Sequence, residues 1–390
     1  MRFISACIIS LLLLGETTAQ PSPIKNTRSR MVHSSVEDTH VYIIKTAKQL
    51  ARSLETPQQR IDTIAERVKY EVLLKLLTEG NISGRSNPEM VVTVSHTMPR
   101  LGFFMLRVDE KHFDVVDAIC DYMLTDGDVE MCERDWPAEL QSSRPIVRDA
   151  SEWAKWGLDR IDQAEEVNKN TDPGTKDVLA VNGVGDGVRV YVCDTGIRYT
   201  HDEFSVKPGR KAVNAEYGFD TFGGDGFDNY GHGTQVASVV GGYAYGVAPL
   251  ATLVSVKVMD DEGNGDWSNV IAGLEFVMED CDGRNCLVSL SLAAGPLPAD
   301  YPPTATERAI QDLYEANILS LVATGNNADE AWKYTPGRSE VALTVGGINE
   351  DDDLASQSNF GQGIDIYAPG YNIKSAWAGA DTRLVTGAGM

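Results

Sequence analysis

The sequence predicts an α/β protein, a parallel sheet covered by helices on both faces, preceded by a small α+β unit. Two observations predict it. From Trp156 onward the short β-branched runs VRVYVCD, TLVSVKVMD, LVSLSL, ILSLVATG and VALTVGGI alternate with helical stretches such as SNVIAGLEFVMEDC and TATERAIQDLYEAN. Strands that are apolar on both sides and joined by helices belong to a parallel sheet buried on both faces. Upstream, HVYIIKTA, GFFMLRVD and DVEMCERD read as strands. The stretch AKQLARSLETPQQRIDTIAERVKYEVLLKLLTE reads as helix broken at Pro57, and EKHFDVVDAICDYM as a second helix with apolar residues near i, i+3, i+4 and i+7.

The outer segments follow from composition. A chain of 390 residues suits two domains plus processing segments. Arg2, the apolar run FISACIISLLLL and the small residues TTAQ have the pattern of a secretory signal over residues 1–19. Residues 21–37 and 136–155 are polar and proline-bearing and read as linkers. No later stretch is long and apolar enough for a membrane anchor. With 57 acidic against 34 basic residues and a net charge of −23, nucleic acid is not an expected partner. An exported protein can form disulfides, and Cys120 with Cys132 and Cys281 with Cys286 are near neighbours in sequence. Cys193 is left alone in an apolar run and reads as a buried hydrophobe.

In a parallel sheet the working residues lie beyond the carboxyl ends of the strands. Asp194 ends VYVCD. His232 stands between Gly231 and Gly233 at the mouth of an apolar helix. Asn326 ends LVATGN, and Ser291, Leu292 and Ala293 offer an extended edge to which a peptide could add as a strand. The glycines of GVGDGVRVYVCDTG precede their strand instead of linking it to a helix, so they are not a dinucleotide fingerprint.

Asp, His, extended edge and Asn, in that order and spacing, resemble the subtilisin-like serine proteases, most closely the proteinase K and aqualysin branch. DTGI with THDEF, GHGT, ATLVSVKVMDDEGNGDW, SLSL, ATGNNADEAWKYTP, TVGG, SNFGQGIDIYAPG and IKSAW all fall in the family's order from Trp156 to Met390. The resemblance implies a subtilisin-like fold over residues 156–390, acting on protein or peptide substrate. It implies an inhibitor-like propeptide over 38–135 as the chain's own partner, and a maturation site within 136–155. It assigns Asp194 to orient His232, His232 to act as base and Asn326 to donate to an oxyanion. Gly263, Gly265, Trp267, Ser291, Leu292 and Ala293 would line the substrate cleft. A calcium ion is implied on Asp365 and the carbonyls of Glu340 and Ala342, oxygen ligands suited to a hard cation.

The sequence departs from the family at its end. Where the family's nucleophile motif reads Gly, Thr, Ser, Met, this chain has Gly387, Ala388, Gly389 and Met390, so Gly389 holds the serine position. IKSAW fixes that register. The helices that follow in the family are not in this sequence, which reads as incomplete at its C-terminus. The expectation is a secreted endopeptidase precursor by descent that does not cleave, or a non-catalytic relative that binds peptides or its own propeptide.

Overall fold

A computed structural model describes residues 39–47, 56–78, 91–109, 120–121, 123–124, 127–141, 156–161, 184–206, 213–381 and 384–387. The expected signal segment, the linker at 21–37 and Gly389 lie outside these residues, as does most of EKHFDVVDAICDYM.

The N-terminal unit is a sheet of four strands, β1 (Thr39–Thr46), β2 (Val92–Met98), β3 (Phe103–Asp109) and β4 (Val129–Arg134), in the order β2-β3-β1-β4 with antiparallel pairing throughout. One helix, α1 (Pro57–Thr78), covers one face, and its start at Pro57 matches a residue that is tolerated only in a first helical turn. Strand alternation sends successive side chains to opposite faces. Accordingly Tyr42, Ile44, Phe104 and Leu106 pack on Ile61, Ala65, Val68 and Val72 of α1. Ile43, Phe103 and Met105 point the other way, into the core of the larger unit. Both faces of this small sheet are therefore apolar because both are covered.

The segment expected to be a linker from residue 136 begins with a strand, β5 (Pro137–Leu140). It lies between two short strands of the larger unit, β9 (Gly265–Asp266) and β11 (Leu292–Ala293), antiparallel to each.

The larger unit follows a short helix, α2 (Trp156–Ile161), whose buried Trp156 donates its indole N–H to the Tyr371 carbonyl at 3.0 Å. Its centre is a seven-stranded, wholly parallel sheet in the order β14-β13-β12-β10-β6-β8-β7. These are β6 (Val188–Asp194), β7 (Ala215–Asp220), β8 (Thr252–Lys257), β10 (Asn285–Leu290), β12 (Leu319–Ala323), β13 (Leu343–Ile348) and β14 (Ile366–Pro369). Helices α4 (Trp267–Cys281) and α5 (Ala305–Glu315) cover one face and α3 (His232–Gly241) the other. A last hairpin joins β15 (Ile373–Ala376) to β16 (Leu384–Gly387). The α/β class and its two covered faces are as expected from the sequence.

The N-terminal unit sits on α4 and α5, and carboxylates stitch the contact. Glu133 accepts from the Ala305 N–H at 3.1 Å and Asp135 from the Ser268 N–H at 3.0 Å, so each meets the positive end of a helix. In return Glu275 of α4 accepts the Arg100 and Leu101 N–H groups, both at 2.8 Å. Lys45 of β1 pairs with Asp312 of α5 at 2.5 Å, with side chains 3% and 7% exposed. Two disulfides, Cys120–Cys132 and Cys281–Cys286, join the cysteines that are near neighbours in sequence, and Cys193 is free and buried, its thiol pushed up by desolvation. No helix among the described residues is long and apolar enough to cross a membrane.

Candidate active site

Asp194 closes β6, and its side chain is fully buried. His232 opens α3, and its Nδ1 lies 2.7 Å from Asp194 Oδ1. The second carboxylate oxygen, Oδ2, has no hydrogen-bond partner among the described residues, so Asp194 is committed to the imidazole and to the Thr195 N–H at 2.7 Å. Burial disfavours a charged His232. The Asp194 carboxylate beside it outweighs that cost, with Asp228 and the Gln141 backbone adding to the effect, and holds the imidazole above its ordinary value of 6.5. Aspartate on one ring nitrogen leaves the other free to take and return a proton.

What aims His232 is Asp228, which sequence reasoning missed. Its fully buried carboxylate accepts from Thr195 Oγ1 at 2.9 Å, the Tyr230 N–H at 3.0 Å and the Gly231 N–H at 2.8 Å. It also takes the Thr234 N–H at 2.9 Å and Thr234 Oγ1 at 2.5 Å. Thr195 Oγ1 in turn accepts the Gly233 N–H at 2.9 Å. The residue after Asp194 and the residues on both sides of His232 are thus tied to one carboxyl group. Burial pushes that group's pKa up, and the hydrogen bonds it accepts oppose the shift. Gly231 at the helix start has φ 125°, and a Cβ there would run into the Trp377 indole. The clue in the sequence was an acid four residues before a histidine at a helix mouth.

Asn326 follows β12, in a loop tied down by Asn359. The Asn359 Oδ1 accepts the Asn327 and Asp329 N–H groups at 2.9 and 3.1 Å, and its Nδ2 donates to the Thr324 carbonyl at 2.8 Å. The Asn326 amide nitrogen Nδ2 is buried with no partner among the described residues. A desolvated donor held without an acceptor is suited to a charge that develops only during reaction.

The expected cleft residues come together around β5. Leu292 pairs with Leu140, Ala293 with Glu139 and Gly265 with Ala138. The Ser291 carbonyl accepts the Gln141 N–H at 2.9 Å. Leu140 rests on Gly263, where a Cβ would come within 2.9 Å of Leu140 Cδ1 and of the Tyr230 ring. Trp267 is 1% exposed, 6.0 Å from the Trp136 ring, in one apolar cluster with Ala138. The Gln141 side-chain Oε1 accepts the Asn326 N–H at 2.8 Å, so Gln141 reaches from the Ser291 edge to the Asn326 loop. Gln141, inside a stretch expected to be linker, is the second residue that sequence reasoning missed.

Asp365, Glu340 and Ala342 lie away from this cleft, around the start of β13. The exposed Asp365 carboxylate accepts the Thr344 N–H at 2.8 Å, which holds it beside the backbone that follows Ala342. No group of three or more His, Cys, Asp or Glu able to hold a metal occurs among the described residues. A cation on Asp365 would draw its other ligands from carbonyls and water, which fits calcium better than a transition metal.

Comparison with known proteins agrees with this geometry. The model of the Subtilase family matches residues 185–389. Proteinase T of Parengyodontium album is 39% identical over 256 residues, covering 64% of this chain and 80% of that protein. Proteinase R of the same organism is 33% identical over 291 residues, covering 74% and 66%. The extracellular serine proteinase of Thermus sp. (strain Rt41A) is 39% identical over 247 residues, but the chain spans only 54% of its length. The crystal structure of a cold adapted subtilisin-like serine proteinase superposes with a TM-score of 0.51 at 33% identity, covering 61% of this chain and 80% of that one. On the family match, the fold and the Asp194 and His232 geometry, the chain belongs to the subtilase family.

Proposed function

We propose that this chain is a secreted serine endopeptidase precursor by descent, in which glycine at position 389 removes the attacking atom and the N-terminal unit blocks the cleft. The observation that carries this reading is β5, which lies between the two cleft edges and brings Gln141 to the Ser291 carbonyl and the Asn326 N–H. Asp194 orients and charge-balances the imidazole, and His232 is placed to take a proton from a hydroxyl. Asn326 is placed to donate to a tetrahedral oxyanion. Gly389 has no hydroxyl, so His232 has no proton to take and no acyl-enzyme forms. A site stripped of one triad member keeps only about 10³ to 10⁴ over the uncatalysed rate, from oxyanion stabilisation and binding.

The N-terminal unit through Gln141 acts as propeptide and occupant at once. Its contacts with α4 and α5 position it, and β5 fills the groove that a protein substrate would enter. Without a nucleophile the unit stays covalently attached. The two disulfides support an oxidising, extracellular destination. Calcium on Asp365 and the carbonyls of Glu340 and Ala342 would brace the β13 end of the sheet. A thermal transition that is unchanged by calcium and by chelator would exclude that site. Mass analysis of the secreted chain tests the main reading: one species still carrying residues before 141 is expected, and a mature form starting within 142–155 would contradict it.

The Gly389 position favours a second use of the same groove. A scaffold that orients a peptide but cannot cut it is a binding protein, and β5 would then be its resident ligand.

A further inference from the structure

The strand in the cleft has a side-chain pattern as well as a backbone one. Ala138 is buried, Glu139 exposed, Leu140 half-buried and Gln141 only 5% exposed. Ala138 enters the apolar cluster of Trp267, and Leu140 lies on Gly263, where an added Cβ would come within 2.9 Å of Leu140 Cδ1. Glu139, opposite Ala293, faces outward.

Gln141 does more than its backbone requires. Its N–H to the Ser291 carbonyl is open to any residue but proline. Its side chain adds two bonds that only a carboxamide supplies together. Oε1 accepts the Asn326 backbone N–H at 2.8 Å, and Nε2 donates to the Glu139 carbonyl at 3.3 Å. A lysine or arginine there has no acceptor for Asn326. A glutamate accepts from Asn326 but sets a carboxylate against the Glu139 carbonyl. An apolar side chain leaves the Asn326 N–H desolvated and unpaired, which costs more than a solvated group would.

We infer that the cleft selects glutamine at the position whose N–H pairs with the Ser291 carbonyl, in extended peptides of the form alanine, any residue, leucine, glutamine. This rests on the reading of β5 as the cleft's substrate-like occupant. It narrows a groove that could take many peptides to one polar side chain with defined neighbours.

Residue-resolved amide hydrogen exchange on the full chain, unmodified and as Gln141→Met, separates the two claims. The methionine keeps length and backbone bonds but has neither the carboxamide oxygen nor its N–H. The expected result is an Asn326 amide that exchanges about tenfold faster in the variant, the loss of one hydrogen bond, while the amides linking Leu140 to Leu292 and Ala138 to Gly265 keep their protection. Unchanged Asn326 exchange with those ladder amides intact overturns glutamine selection and leaves the occupied cleft standing. Unprotected ladder amides in the unmodified chain overturn the occupied cleft, and glutamine selection with it.

Discussion

Asp228 and Thr234 are joined twice, through the Thr234 backbone N–H at 2.9 Å and its hydroxyl at 2.5 Å, both to Asp228 Oδ2. This pair sets where α3 begins, and therefore where His232 points. Asp228→Asn keeps the shape but replaces one acceptor oxygen with a donor facing other donors. Loss of about 2 to 3 kcal/mol of stability is expected, the scale for hydrogen bonds to a charged group. The His232 pKa should also fall toward its ordinary value, since Asp228 helps to raise it. Imidazole titration by NMR reads this directly, and an unmoved His232 would leave Asp228 a purely structural residue.

Gly231→Ala tests the same turn from the backbone side. A φ of 125° strains any side chain, and the added methyl meets the Trp377 indole. A destabilisation of about 2 kcal/mol or more is expected in denaturant melts, with loss of the downfield His232–Asp194 proton resonance. A variant of wild-type stability would show that the turn can relax.

The contact between the two units should weaken as pH rises from about 4 to about 7. Desolvation pushes Asp135 up to about 7, with nearby Asp266 adding to the shift and the Ser268 and Trp136 hydrogen bonds opposing it. Glu275 is likewise pushed up to about 7 by desolvation and Glu279, against the Arg100 and Leu101 N–H groups. Glu133 is raised by burial and by Glu307, with Trp136, Ala305 and Arg338 pulling the other way. A carboxyl group whose docked pKa is raised binds more protons docked than free, so its contribution is complete below the free value and lost through the docked one. Proteolytic susceptibility across this range should rise with pH in the unmodified chain and flatten in the Asp135→Asn, Glu275→Gln double variant.

Lys45→Met should cost about 3 to 5 kcal/mol, because it removes the cation paired with the buried Asp312 carboxylate. The double change to Lys45→Met and Asp312→Leu should recover most of that loss, since two apolar groups need no counter-charge. Equal losses in single and double variants, read from urea midpoints, would contradict this.

The parallel sheet was legible because continuous apolar runs mark buried strands; Asp194 and Asn326 stood out as polar residues closing or following two of those runs, and His232 as a histidine between two glycines at a helix mouth. Gln141 and Asp228 were not legible, for different reasons. Strand β5 has four residues and no apolar period of its own, and its form is imposed by the edges at Gly265 and Leu292. Asp228 looks like any loop acid, since its burial and its five hydrogen bonds depend on Thr195 and Thr234 arriving from either side. Gly389 is visible in sequence alone.

The most direct measurement of the central claim is labelling of the purified 390-residue chain with a fluorophosphonate, followed by peptide hydrolysis assays. No covalent adduct, no hydrolysis above a His232→Ala control and an N-terminal unit still attached are expected. A stoichiometric adduct, or turnover that disappears with His232→Ala, would show that another hydroxyl serves His232 and would contradict the account.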